Sequence, residues 1–172
     1  MLVFIVVLRL LHIVTGIFWV GAALMLTFFI SPAVQATQES GQKFISHLMQ
    51  KTPFNKIIIS TSLISVSAGL TLYGIDSGRF QSGWMSSGPG IGFGLGGLAG
   101  LLGLHFGFQQ NRHSTALTQL GQELQGQGKP PTEDQLKSLQ TLQAQLKTGG
   151  QLNAFFLLLA SILMATARFW VF

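Results

Sequence analysis

The chain has 172 residues, of which 48% are hydrophobic and only 9% charged, with a formal charge of +5. A soluble domain of this length carries about 25% charged residues, so the composition excludes an ordinary water-soluble globule and favours one membrane domain. There are no cysteines, which excludes disulfides, iron–sulfur clusters and thiolate metal sites, and the ten Lys and Arg lie scattered at the ends of apolar segments, a pattern of membrane topology and not of nucleic-acid binding.

A helix needs about 20 apolar residues to cross roughly 30 Å of hydrocarbon. Four segments meet that need. The first runs from about Leu2 to Ile30, interrupted only by Arg9 and His12. Val34-Gln35-Ala36 resembles a signal-peptide cleavage motif, but no basic stretch precedes the run, which exceeds the usual 7–15 residues of a signal core. A retained helix is therefore predicted. Between the first and second spans, Gln42 to Lys51 carries Phe44, Ile45, Leu48 and Met49 on one face and Lys43, His47 and Lys51 on the other. That pattern predicts a short amphipathic helix lying in the interface. Thr52-Pro53 then opens the second span, 57–75, since proline suits a first helical turn.

The loop from Asp76 to Gly90 is rich in Gly and Ser, with Phe80 and Trp84 as interface anchors. The third span, 91–108, is glycine-rich. Helical periodicity continues past Phe108 through Leu117, Leu120 and Leu124, until Gly126-Gln127-Gly128-Lys129-Pro130-Pro131 breaks it. Thr132 with Gln135 three residues on reads as a capping box, and Leu136, Leu139, Leu142 and Leu146 follow at helical spacing. Residues 112–149 are thus predicted to form an antiparallel hairpin projecting on the order of 20 Å from the membrane. Gly149-Gly150 precedes the fourth span, 152–172.

Charge sets the expected orientation. Lys43, Lys51, Lys56, Arg112, Lys129, Lys137 and Lys147 fall on one side, against Arg9, Arg79 and Arg168 on the other. The positive-inside rule places the hairpin in the cytoplasm and both termini outside an inner or plasma membrane. The predicted fold is all-α: a four-helix transmembrane bundle with a cytoplasmic helical hairpin extending the third and fourth helices.

Gly92, Gly96, Gly100, Gly103 and Gly107 recur every three or four residues and form one seam along the third span. The plain reading is close helix packing; a flat cofactor ring on the glycine face is the sharper one. Ser62, Ser65 and Gly69 offer a smaller matching stripe on the second span. His12 shares the small, polar face of its helix with Arg9, Gly16, Ala23 and Thr27. An ionisable residue inside a membrane is a functional candidate whose partner must be named. Two readings stay open. In one, His12 bonds a backbone carbonyl and Asp76 pairs with an arginine. In the other, His12 ligates a b-type haem whose propionates meet Arg9 and Arg168.

His105 is the other metal candidate within a span, but it lies near the opposite end of its helix. The depth mismatch with His12 is about 13 residues, or roughly 20 Å, and about 8 Å if the first helix begins at Leu2, so one haem shared by this pair would need large tilts. His47 and His113 read as interfacial side chains, with a metal or haem site shared with His105 as the sharper alternative. No nucleophile–base pair, phosphate loop or zinc motif is present. The glycines of the third span follow no strand, so a dinucleotide fingerprint is excluded by context.

Leu10-Leu11-His12-Ile13, Phe18-Trp19-Val20-Gly21 and Ser31-Pro32-Ala33 together resemble the first helix of CopD-like membrane proteins. That likeness implies a four-helix membrane unit and copper handling, although the five methionines form no Met-rich cluster. Leu-His-Ile followed by Trp-x-Gly is also similar to the J-type protoporphyrinogen oxidases, which implies a haem ligand at His12. That family expects a lysine in its third helix, and this sequence has none there. With no catalytic constellation, the leading expectation is an accessory or assembly subunit that packs against other membrane proteins or copies of itself. A haem-binding redox protein is the alternative and copper handling the third.

Overall fold

The computed structural model describes residues 1–80 and 83–171, so Gln81 and Ser82 of the predicted loop and Phe172 of the fourth span lie outside the described residues. Every regular element among the described residues is helical. Helix α1 (Leu2–Met25) does not stop at Ile30. It passes through a π-helical turn, Leu26–Ile30, straight into α2 (Ser31–Lys51). Pro32 is the cause. It has no N–H for the carbonyl four residues back, and its ring crowds that carbonyl. A widened turn, in which the Ser31 N–H reaches back to the Leu26 carbonyl, carries the helix past the proline.

Helix α2 bends at Gln38, whose backbone leaves helical geometry at φ 45° and ψ −113°. The predicted 42–51 helix is the part beyond this bend. The chain closes on itself there so tightly that a Cβ at Gly41 would lie 2.6 Å from Val34 Cα and against Thr37 Oγ1. Only glycine fits. Just past the bend, Lys43 hydrogen-bonds Glu39 and holds its carboxyl below the usual range.

Helix α3 (Phe54–Asp76) ends in a run of left-handed residues, with Gly78, Arg79 and Phe80 at φ 60°, 62° and 67°. Ser77, fully buried, supports the run: its Oγ accepts from the Phe80 N–H at 3.1 Å. A 3₁₀ turn, Gly83–Ser86, leads to α4 (Gly88–Gly126), whose N-cap Ser87 accepts from the Gly90 N–H at 3.3 Å. Helix α5 (Glu133–Thr166) begins with the capping box: the Thr132 N–H donates to Gln135 Oε1 at 2.9 Å, and the Gln135 N–H to Thr132 Oγ1 at 3.3 Å. A 3₁₀ turn, Ala167–Phe169, follows it.

Helices α4 and α5 have 39 and 34 residues, lengths on the order of 50–60 Å that exceed a hydrocarbon core by several turns. Their excess forms the hairpin. Four helical runs are long and apolar enough to cross a membrane. The interior is built from small side chains, including Ala68, Ala99, Ala154, Ala160 and Ala167, while Phe29, Phe155, Ile17 and Ile162 face outward. This is the packing logic of helices in lipid, where close backbone approach replaces burial of bulky side chains.

The helices assemble as two antiparallel pairs, α1 with α3 and α4 with α5. Trp19 and Ala23 of α1 join the pairs by packing with Leu157 of α5, flanked by Val66 and Leu104. Two hydrogen bonds reinforce the joint. Thr27 Oγ1 donates to the Gly150 carbonyl at 3.2 Å, and Tyr73 OH to the Gly90 carbonyl, also at 3.2 Å.

Candidate functional site

His12 sits where α1 crosses α3. Its Nδ1 lies 2.8 Å from the Ser65 carbonyl, so Nδ1 carries the hydrogen and donates it. Ser65 answers in the reverse direction, its Oγ donating to the His12 carbonyl at 3.1 Å. The two backbones are therefore clasped through two side chains. Two glycines make room. A Cβ at Gly69 would stand 2.8 Å from His12 Cε1, and one at Gly16 would stand 3.1 Å from Ser65 Oγ. The small face of α1 is thus spent against protein, with Ala23 buried and Thr27 bonded to α5. In a neutral ring, Nδ1–H leaves Nε2 as the acceptor nitrogen, the arrangement in which a histidine can ligate a metal.

The glycine seam faces α5. A Cβ at Gly92 would lie 2.9 Å from Ala167 Cα, one at Gly96 2.7 Å from Met164 Cγ, and one at Gly103 2.7 Å from Leu157 Cδ2. Gly100 and Gly107 are looser, with Ala160 Cβ at 4.0 Å and Asn153 Nδ2 at 3.7 Å. The partners descend from residue 167 to 153 as the glycines ascend, which is the register of an antiparallel pair. Ser65 and Gly69 of the stripe expected to match this seam are occupied by α1. Met164 and Ala167 lie directly on the seam, so the glycine face holds side chains of α5 and not a flat ring.

The remaining candidates disperse. Arg9 is exposed one turn from His12, while exposed Arg168 belongs to the turn Ala167–Phe169, which packs on α4 and α5. Among the described residues the one ion pair is Lys43 with Glu39, so Asp76 pairs with no arginine there. His105 is exposed on α4 and accepts from the Gln109 amide at 3.0 Å. His47 is exposed too, but His113 is half-buried and its Nδ1 is shielded from solvent without a partner. Among the described residues no three of His, Cys, Asp and Glu come together to hold a metal.

Two features were not read from the sequence. Asn153, a lone amide in an apolar run, is buried beside Gly107 with its Oδ1 unpartnered. Its isolation in that run was the available signal. Near it, His113 lines an open crevice of about 590 Å³ between α4 and α5, at the level where both helices leave their apolar lengths. No sequence pattern marked that crevice, because its walls come from segments 106–116 and 145–152 of two different helices. Comparison with protein-family models, curated proteins and solved structures returns no match to this chain.

Proposed function

We propose that this chain is a multi-pass integral membrane protein of an inner or plasma membrane and serves as an accessory or assembly subunit within a larger membrane complex. The observation that carries the reading is the His12 clasp. The most conspicuous ionisable group inside a span donates to the Ser65 carbonyl and receives the Ser65 hydroxyl on its own backbone. Such a group, together with Tyr73 and Thr27, is engaged in holding helices together. What remains available to a partner is the outward apolar face of the bundle and the capped α4/α5 hairpin, which stands clear of the apolar lengths. The test is purification in a mild, uncharged detergent with a photo-crosslinker placed at Gln140, an exposed hairpin residue. A discrete crosslinked product, either a second membrane protein or a dimer of this chain, is the expected result. A monodisperse monomer with no crosslink at any expression level sinks the subunit reading.

A second reading, a b-type haem protein, is favoured by the same bond. Metal-ligating histidines commonly donate their other N–H to a backbone carbonyl, as His12 does. His12 would hold the iron and Arg9 would lie one turn away. Arg168, on the α4/α5 side, fits this arrangement less well. A Soret band in the purified protein, lost in His12→Ala and kept in His105→Ala, would replace the subunit reading with this one.

A further inference from the structure

We propose that the crevice between α4 and α5 binds the phosphate-bearing headgroup of an anionic phospholipid. Its walls change character along the bundle. Phe106 and Leu152 line the side toward the apolar runs, whereas Arg112, His113, Gln145 and Thr148 line the side toward the hairpin. An amphiphile matches that gradient: acyl chains against Phe106 and Leu152, and a polar head among the donors. No carboxylate lines the crevice, and its one fixed charge is the Arg112 guanidinium. The ligand charge it favours is therefore negative. Guanidinium binds phosphate oxygens through paired N–H donors, and Thr and Gln supply further donors at the same level.

The second observation is the His113 ring. The half-buried imidazole lines the crevice one residue from Arg112 and adds a polar ring to the headgroup side. The volume, about 590 Å³, lies within the range of small-molecule sites, roughly 300–1,000 Å³. Space is kept open by Gly149, where an added Cβ would meet nothing within 4 Å. Basic pockets between membrane helices at the headgroup level are the setting in which anionic lipids are held.

The inference rests on the bilayer part of the reading above and not on the subunit role. The experiment is native mass spectrometry of the full chain in an uncharged detergent, with phosphatidylglycerol and phosphatidylcholine supplied in equal amounts. The wild-type protein should retain phosphatidylglycerol in preference. Arg112→Gln should cut that preference roughly tenfold, the scale of a lost charge-assisted hydrogen bond. Gly149→Leu, which fills the crevice and leaves every charge in place, should do the same. Lys137→Gln, on the exposed outer part of the hairpin, should change nothing. Equal retention of the two lipids overturns the proposal, as does wild-type preference in both Arg112→Gln and Gly149→Leu. Displacement of the lipid by millimolar inorganic phosphate would assign the crevice to a free anion and overturn it too. Membrane retention is checked separately: carbonate extraction of the wild-type chain would sink the bilayer reading itself, whereas a retained protein without headgroup preference sinks only this site.

Discussion

Replacing seam glycines by alanine, one at a time, separates two positions that look equivalent in sequence. A methyl at Gly92 would sit 2.8 Å from Ala167 Cβ and 2.9 Å from Ala167 Cα. Carbon atoms pack at about 3.5–4.0 Å, so the helices must part there by roughly 0.7–1 Å. Neither contact atom can rotate away, because one is backbone and the other a methyl fixed to it. Overpacking of this kind costs about 1–3 kcal/mol. At Gly100 the same methyl would meet Ala160 Cβ at 4.0 Å, which is ordinary contact and adds dispersion without displacement. In water alanine would gain about 1 kcal/mol over glycine through helix propensity. Separated helices in a bilayer or micelle remain helical, so most of that gain cancels and packing decides. The expected order of stability is Gly100→Ala at or above wild type, and Gly92→Ala about 1–3 kcal/mol below it. Denaturation in mixed micelles, followed by tryptophan fluorescence, reads this directly, since Trp170 Cε3 lies 3.4 Å from the Gly92 Cβ position. Gly92→Ala as stable as wild type, with Gly100→Ala the weaker of the two, would refute the register of the seam.

Other expectations follow from single contacts. His12→Ala should lower stability by about 1–3 kcal/mol by removing the Nδ1–H bond to the Ser65 carbonyl, while the Ser65 hydroxyl keeps its bond to the backbone carbonyl of residue 12, and Gly69→Ala should approach that loss by pushing a methyl against the ring, both read by the same denaturation assay. For orientation, exposed Ser86 and Thr141 are the sites for cysteine labelling, Ser77 being fully buried. An impermeant reagent on intact cells should label Ser86→Cys and spare Thr141→Cys, and the opposite pattern would reverse the proposed topology. Thr132→Ala should weaken the start of α5 by about 1 kcal/mol, so that its first-turn amides exchange about fivefold faster; unchanged protection would remove the capping box from the argument.

Much of this fold was readable because its signals are local. Apolar length, glycine spacing of three and four, and Thr132 with Gln135 each depend on neighbours along one helix. The choice of partner was not readable in this way. A small-residue stripe states that something comes close and not what it is, so the seam on α4 and the Ser65–Gly69 stripe looked complementary although each has another partner. The continuity of α1 into α2 was hidden by Pro32, which announces a break unless a π turn absorbs it. Gln38 carries no glycine-like signature for its positive φ; the clue lay three residues on, at Gly41. His12 stood out from charge and depth alone, but its hydrogen bond to Ser65 requires knowing that α3 lies beside it.

The two-pair architecture bears on how the chain is put together during synthesis. Within each pair the helices follow one another along the sequence as apolar spans, so α1 can close on α3 before α4 has been made. The α4/α5 hairpin can likewise zip from its tip, where the Gln127 and Gln135 amides exchange hydrogen bonds at 3.2 Å and 3.4 Å. The joint at Trp19, Ala23 and Leu157 can then close between two preassembled halves. An early-ending chain that lacks α5 would leave the whole seam from Gly92 to Gly107 bare, a surface that invites the wrong helix.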